Sequence, residues 1–205
     1  MPEFCKAVAG MGLTAIDLLE EADWAVVRDY GLICSMGYAG GGSIANGMNV
    51  KANHDAIVKN FEDKIPKAAA MRVPNVITFF GNRRGMSDSE AIANCVEGLN
   101  RVKAIGEANG VTICVELLNS KVDHKDYQGD HTAFAIEIVK AVNSPGVKLL
   151  NDLYHMQIME GDLIRNIRAG KDSFAHYHTG GVPGRDQLGA TQEGQWATVA
   201  KAMAD

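Results

Sequence analysis

Residues 147–155 read VKLLNDLYH and residues 174–181 read FAHYHTGG. Each stretch is apolar at its start, as expected of a strand covered on both faces. Each turns polar toward its C-terminal end, at Asp152 and His155 in the first and at His178 in the second. The same texture recurs upstream in residues 13–19 (LTAIDLL), 31–38 (GLICSMGY), 73–81 (VPNVITFFG) and 110–119 (GVTICVELLN). There the polar ends are Asp17, Asn82 just past the third run, and Glu116 with Asn119. Helical stretches separate these runs, so strand and helix alternate along the chain. That alternation implies right-handed crossovers and a parallel sheet. A doubly wound sheet gathers its polar groups at one switch point after a Gly-rich first turn, whereas a (β/α)8 barrel spreads them over the ends of many strands. Four or more strands end in polar groups here, so the expected fold is an α/β TIM barrel in a single domain, 1–205.

The helices are read from apolar spacing and end signals. Ile57, Phe61 and Ile65 recur every four residues, and Ala68 and Met71 extend the stripe. Ser87 and Glu90 form an S-x-x-E capping box ahead of Ile92, Val96, Leu99 and Val102, and Asn109-Gly110 ends that helix. Phe134, Ile138 and Val142 mark another, stopped at 143–146 (NSPG); Asp162 is expected to cap a shorter one carrying Leu163, Ile164 and Ile167. Residues 39–42 (AGGG) lack the GK[ST] of a phosphate-binding loop and are expected to form a loop after a strand.

Composition narrows the function classes. The chain has 205 residues, 46% hydrophobic and 22% charged, which is globular rather than disordered. No apolar run reaches the roughly 20 residues of a membrane helix. Lys and Arg number 20 against 25 Asp and Glu, a net charge of −5 spread along the sequence, which argues against nucleic-acid and anionic-membrane partners. The four cysteines, Cys5, Cys34, Cys95 and Cys114, have no CxxC or finger spacing. They read as buried thiols of an intracellular protein, so a cytoplasmic location is expected.

Glu116, Asp152 and His178 stand at or near the ends of three consecutive strands. Two carboxylates and an imidazole form a mixed oxygen and nitrogen set suited to Mn²⁺, Mg²⁺, Co²⁺ or Zn²⁺. Adjacent strands lie about 4.8 Å apart, so the three side chains can converge on one ion at equivalent depths. His176 shares a face with His178 and reads as a hydrogen-bonded interior residue. Arg83-Arg84 reads as solvent-exposed, Lys121 and His124 as loop residues on the catalytic side, and His54 and His131 as ordinary helix residues. Trp24 and Trp196 read as packing groups, with Trp196 nearer the pocket.

The stretches VELLNSKVDH (115–124), LLNDLYHMQIMEGD (149–162) and FAHYHTGGVPGRDQLG (174–189) resemble the hydroxypyruvate isomerase branch of the xylose isomerase-like TIM-barrel superfamily. That superfamily also holds ketose 3-epimerases, inosose dehydratases and endonuclease IV. The resemblance implies that Glu116 is both a metal ligand and the proton-transfer base, with Asp152 and His178 as the next two ligands. It implies substrate contacts from His155, Arg185 and Asn119. It places Glu193 where relatives have a glutamate, although Gly194-Gln195-Trp196 departs from their pattern. The activity implied is divalent-metal-dependent isomerisation of a small sugar or hydroxy acid through an enediolate. A ketose 3-epimerase or related dehydratase, and a catalytically silent binding barrel, are the alternatives. An endonuclease is not expected, because it needs more metal ligands and a basic DNA face.

Length adds a last expectation. A (β/α)8 barrel typically takes about 250 residues. Met1 to Gly12 already reads as a first helix, with Pro2 near its start, and six strands follow. The barrel is therefore expected to lack its first and eighth strands and the glutamate ligand of the eighth, which would weaken cation binding and turnover. Two unpaired edges would favour a homo-oligomer.

Overall fold

A computed structural model describes all 205 residues. In chain order the elements are α1 (Pro2–Gly10), β1 (Ala15–Ile16), α2 (Glu21–Arg28), β2 (Ile33–Cys34), β3 (Gly37–Gly41) and α3 (His54–Ala70). Then come β4 (Asn75–Phe79), α4 (Asp88–Asn109), β5 (Thr112–Leu117), α5 (Thr132–Val142) and β6 (Val147–Asp152). The chain finishes with α6 (Leu153–Met159), α7 (Leu163–Gly170), β7 (Phe174–His178) and α8 (Trp196–Ala204).

Every strand pairing is parallel, and the main sheet runs β3-β4-β5-β6-β7 in strictly sequential order. Sequential order without reversal is what a barrel wall requires and a doubly wound sheet does not show. β1 and β2 form a separate parallel pair, and a single bridge from Leu19 to Gly37 joins that pair to β3. The sheet does not close into a full barrel. Helices cover its outer side through the residues whose spacing marked them: Ile57, Phe61, Ile65 and Ala68 on α3, and Ala91, Cys95, Leu99 and Val102 on α4. A continuous core of 45 buried residues results. No helix is long and apolar enough to cross a membrane. All four cysteines are free and buried.

Several boundaries differ from the sequence reading. Residues 31–38 do not form one strand; Ser35 and Met36 interrupt the pairing, and β3 continues to Gly41. Residues 39–41 therefore belong to the sheet rather than to a loop. The glycines there answer to close packing: a Cβ on Gly41 would stand 2.5 Å from the Ile77 carbonyl oxygen. Residues 153–155 leave the strand, because β6 stops at Asp152 and α6 starts at once. Asp162 does precede α7, but with φ of 46° and no capping bond; its carboxylate pairs instead with Arg165 Nε at 2.9 Å. At α4, Ser87 accepts the Glu90 N–H and Gly110 takes the left-handed conformation, as expected.

Candidate active site

The C-terminal ends of β5, β6 and β7 bring the candidate ligands together. Register sets their heights: Glu116 pairs with Leu150, Leu150 with His176, and Asp152 with His178. Glu116 and His176 thus share one layer, while Asp152 and His178 stand one layer higher, because successive same-face residues are two apart. In ladder register Glu116 therefore stands two residues short of Asp152 and His178, and the three side chains still converge. One oxygen or nitrogen of each of Glu116, Asp152 and His178 lies within 4.8 Å of the others. His178 Nδ1 is 3.2 Å from Glu116 Oε1 and 3.7 Å from Asp152 Oδ2.

Asp152 does two jobs. Its Oδ1 accepts the backbone N–H groups of Tyr154 and His155 and so caps α6, which turns the chain immediately after β6. Its Oδ2 takes Arg185 Nη2 at 2.5 Å. Burial raises the Asp152 carboxyl, the Arg185 charge lowers it, and the nearby Glu116 raises it again, leaving it above its ordinary value. For His178 burial works against the charged form. Hydrogen bonds to Asp17 and Glu116, together with the charges of Glu116 and Asp152, outweigh it and push the imidazole up to about 9.

The short turn that Asp152 caps places His155, fully buried, on α6. Its Nδ1 meets Asn119 Nδ2 at 2.6 Å and its Nε2 meets Arg185 Nη1 at 2.9 Å. Asn119 Oδ1 already accepts the N–H groups of Val122 and Asp123, so its amide is oriented to donate. Burial, then the charge of Arg185, push His155 down to about 3, so the ring is neutral and carries one proton. Asn119 Nδ2 and Arg185 Nη1 both donate, so whichever ring nitrogen carries that proton faces another donor. Arg185 is held by Asp152 and by the Tyr154 ring, 5.1 Å below its guanidinium carbon.

The other expected residues fall further off. Glu193 is exposed, and its carboxylate meets only Gln157 Nε2, at 3.3 Å. Trp196 opens α8 and packs against the core. Arg83 is not free in solvent: it pairs with Asp88 at 2.6 Å and with the buried Asp130 at 3.0 Å. His54 is buried at the start of α3, with Nε2 2.8 Å from the Met48 carbonyl oxygen, and His131 precedes α5. Asp17 is the residue that sequence reasoning left outside the site. It meets both His176 and His178, and with them forms a second group of possible ligands. Tyr38 also borders these acids: burial, then the charges of Glu116, Glu20 and Asp17, raise its hydroxyl.

A family model described as a xylose isomerase-like TIM barrel matches residues 8–205. The chain belongs to that family. D-psicose 3-epimerase of Ruminiclostridium cellulolyticum is 32% identical over 114 residues, which cover 54% of this chain and 36% of that protein. A Mus musculus protein named "Putative hydroxypyruvate isomerase" is 25% identical over 149 residues, 70% of this chain and 54% of the relative. The crystal structure of AP endonuclease, family 2, from Brucella melitensis superposes with a TM-score of 0.87 at 21% identity, covering 98% of this chain and 81% of that one. At that identity the likeness shows the fold. The chain of this xylose isomerase-like barrel spans about a third to half the length of the two curated relatives.

The donor set fits a divalent cation. Glu116 and Asp152 are buried carboxylates, and their nearest compensation is a protonated imidazole and a guanidinium. Two buried negative charges side by side are costly without such a partner.

Proposed function

We propose that this chain carries the proton-transfer centre of a divalent-metal-dependent isomerase or epimerase acting on a small sugar or hydroxy acid. The observation that carries the reading is the convergence of Glu116, Asp152 and His178 at the ends of three neighbouring parallel strands. Family membership and relatives named as an epimerase and an isomerase support it. Glu116, Asp152 and His178 would hold Mn²⁺, Mg²⁺, Co²⁺ or Zn²⁺. When bound, such an ion acts as a Lewis acid toward the carbonyl and hydroxyl oxygens beside the reacting carbon.

The chain's own groups do the rest. Glu116 Oε1 takes the His178 contact, so its other oxygen is the one placed to remove and return a proton on carbon. Neutral His155, held from behind by Asn119, presents its Nε2 edge to a substrate oxygen when Arg185 moves off it. Arg185 supplies a cationic donor for a hydroxyl or carboxylate and is released to do so when Asp152 Oδ2 is taken by another cation.

Cation binding tests this directly. Stoichiometric Mn²⁺ or Co²⁺ binding that is lost in Glu116→Gln is the expected result. A chain that binds neither ion, and that Glu116→Gln leaves unchanged, sinks the reading. Solvent deuterium incorporated into hydroxypyruvate rather than a ketohexose separates the isomerase from the epimerase.

A further inference from the structure

We propose that Asp17 is a positioning residue for the candidate cation site, its carboxylate holding the His178 ring through Nε2 so that Nδ1 faces Glu116 and Asp152. The proposal rests on the cation-dependent reading given above. Asp17 follows β1, on the far side of the sheet order from β7, so no strand ladder places these groups together; the contact is made across the concave interior.

Its Oδ2 lies 2.7 Å from His178 Nε2 and 2.9 Å from His176 Nε2. Its Oδ1 accepts the Ser35 hydroxyl at 2.8 Å, so the carboxylate is itself held in one orientation. An ionised carboxylate only accepts, and both ring nitrogens facing Oδ2 must therefore carry hydrogen. Nδ1, 3.2 Å from Glu116 Oε1 and 3.7 Å from Asp152 Oδ2, also faces carboxylates and carries hydrogen in the cation-free chain; a cation bound there would replace that hydrogen, while the Asp17 contact keeps the one on Nε2. One contact thus holds the plane of the ring and decides which nitrogen keeps its hydrogen when the other ligates. A ligating imidazole whose other nitrogen donates to a carboxylate is more basic and loses less freedom on binding.

The same three residues, Asp17, His176 and His178, admit a rival reading as a cation site of their own. That reading would put an ion where both N–H groups now meet one oxygen, and it would use His178 Nε2 in place of Nδ1. The engaged Oδ1 and the shared Oδ2 describe a hydrogen-bonded clamp, which favours positioning.

Zn²⁺ titration by calorimetry, together with ¹⁵N-histidine NMR of the Zn²⁺-loaded chain, decides the matter. The unsubstituted chain is expected to bind one Zn²⁺, with the metal on His178 Nδ1 and a proton on Nε2. Asp17→Ala is expected to weaken binding by about 10- to 100-fold. Asp17→Asn keeps the size and one acceptor oxygen; it is expected to recover part of that loss, and it stands in if the alanine variant does not fold. Unchanged affinity in both variants, with binding lost in Glu116→Gln, overturns the positioning role alone. Metal on Nε2, or a Zn²⁺ lost in His176→Asn, overturns it in favour of a separate site. An unsubstituted chain that binds no Zn²⁺ overturns this proposal and the cation-dependent reading together.

Discussion

The middle of the main sheet and the separate β1-β2 pair are built differently. β5 and β6 are six residues each, pair without interruption and are buried along nearly their whole length. β1 and β2 are two residues each, and the neighbouring surface leaves Phe4, Met11, Leu13, Leu18 and Ile33 exposed. The dense half holds Glu116 and Asp152, whose burial demands a rigid, well-compensated frame. The sparse half contributes one charged group, Asp17, through a side chain that reaches across the interior. Ligand placement in this fold is therefore a property of strand register in the main sheet and of a single long-range hydrogen bond from the β1-β2 side.

The largest effect expected on this contrast comes from the dense half. Glu116→Gln keeps the shape of the side chain and removes its basicity; solvent deuterium exchange into substrate should fall by roughly 10²- to 10⁴-fold with folding unchanged. An exchange rate within threefold of the parent would move the proton-transfer role to another group. Next come the cores. Leu149→Ala empties a fully buried position on β6 and should cost about 2–5 kcal/mol in urea unfolding. Ile33→Ala on β2, where 41% of the residue is exposed, should cost well under that. Equal losses would show that the sparse end is as tightly built as the dense one.

The link between the halves should also appear in the pH dependence of the metal-free chain. His178 is held up at about 9 against an unfolded value near 6.5. A group raised in this way stabilises the folded state fully below its unfolded value and loses that contribution as pH rises through its folded one. Stability should therefore fall between about pH 6.5 and 9, by on the order of 3 kcal/mol. Burial works to raise Asp17, but hydrogen bonds from His176 and His178 outweigh it and hold the carboxyl well below its usual range. Its own contribution is constant across that window. Asp17→Asn should flatten the decline, and a slope unchanged by that substitution would place the source of the His178 shift at Glu116 and Asp152.

Much of the dense half is legible in sequence because its signals are local. An apolar run that ends in Glu116 or Asp152 marks both a buried strand and its functional end, and Ser87, Glu90 and Gly110 mark the limits of α4 from within a few residues. The cap on α6 is legible too: Asp152 directly ahead of LYHMQIM is a capping pattern, although the apolar LY after it also fits a continuing strand. The contact of Asp17 with His176 and His178 carries no such local signature. It joins residues 159 and 161 positions apart through the curvature of the sheet, which no short stretch of sequence announces. The hold of Arg185 on Asp152 likewise depends on how a loop folds back over the strand ends.

The smallest effect tests how the sparse half transmits its one contribution. Ser35 sits in the break between β2 and β3, and its hydroxyl donates to Asp17 Oδ1. Removing it in Ser35→Ala leaves Asp17 charged and still able to reach both histidines, but free to rotate. The lost hydrogen bond is worth about 0.5–1.5 kcal/mol, so stability should fall by that amount and Zn²⁺ affinity by no more than about tenfold. Because Asp17→Ala removes the acceptor itself, its effect on Zn²⁺ should exceed that of Ser35→Ala. Calorimetric titration of the two variants side by side checks the order. An equal loss in both would mean that the carboxylate works only when locked, and the break between β2 and β3 would then be part of the site's construction rather than a fault in the sheet.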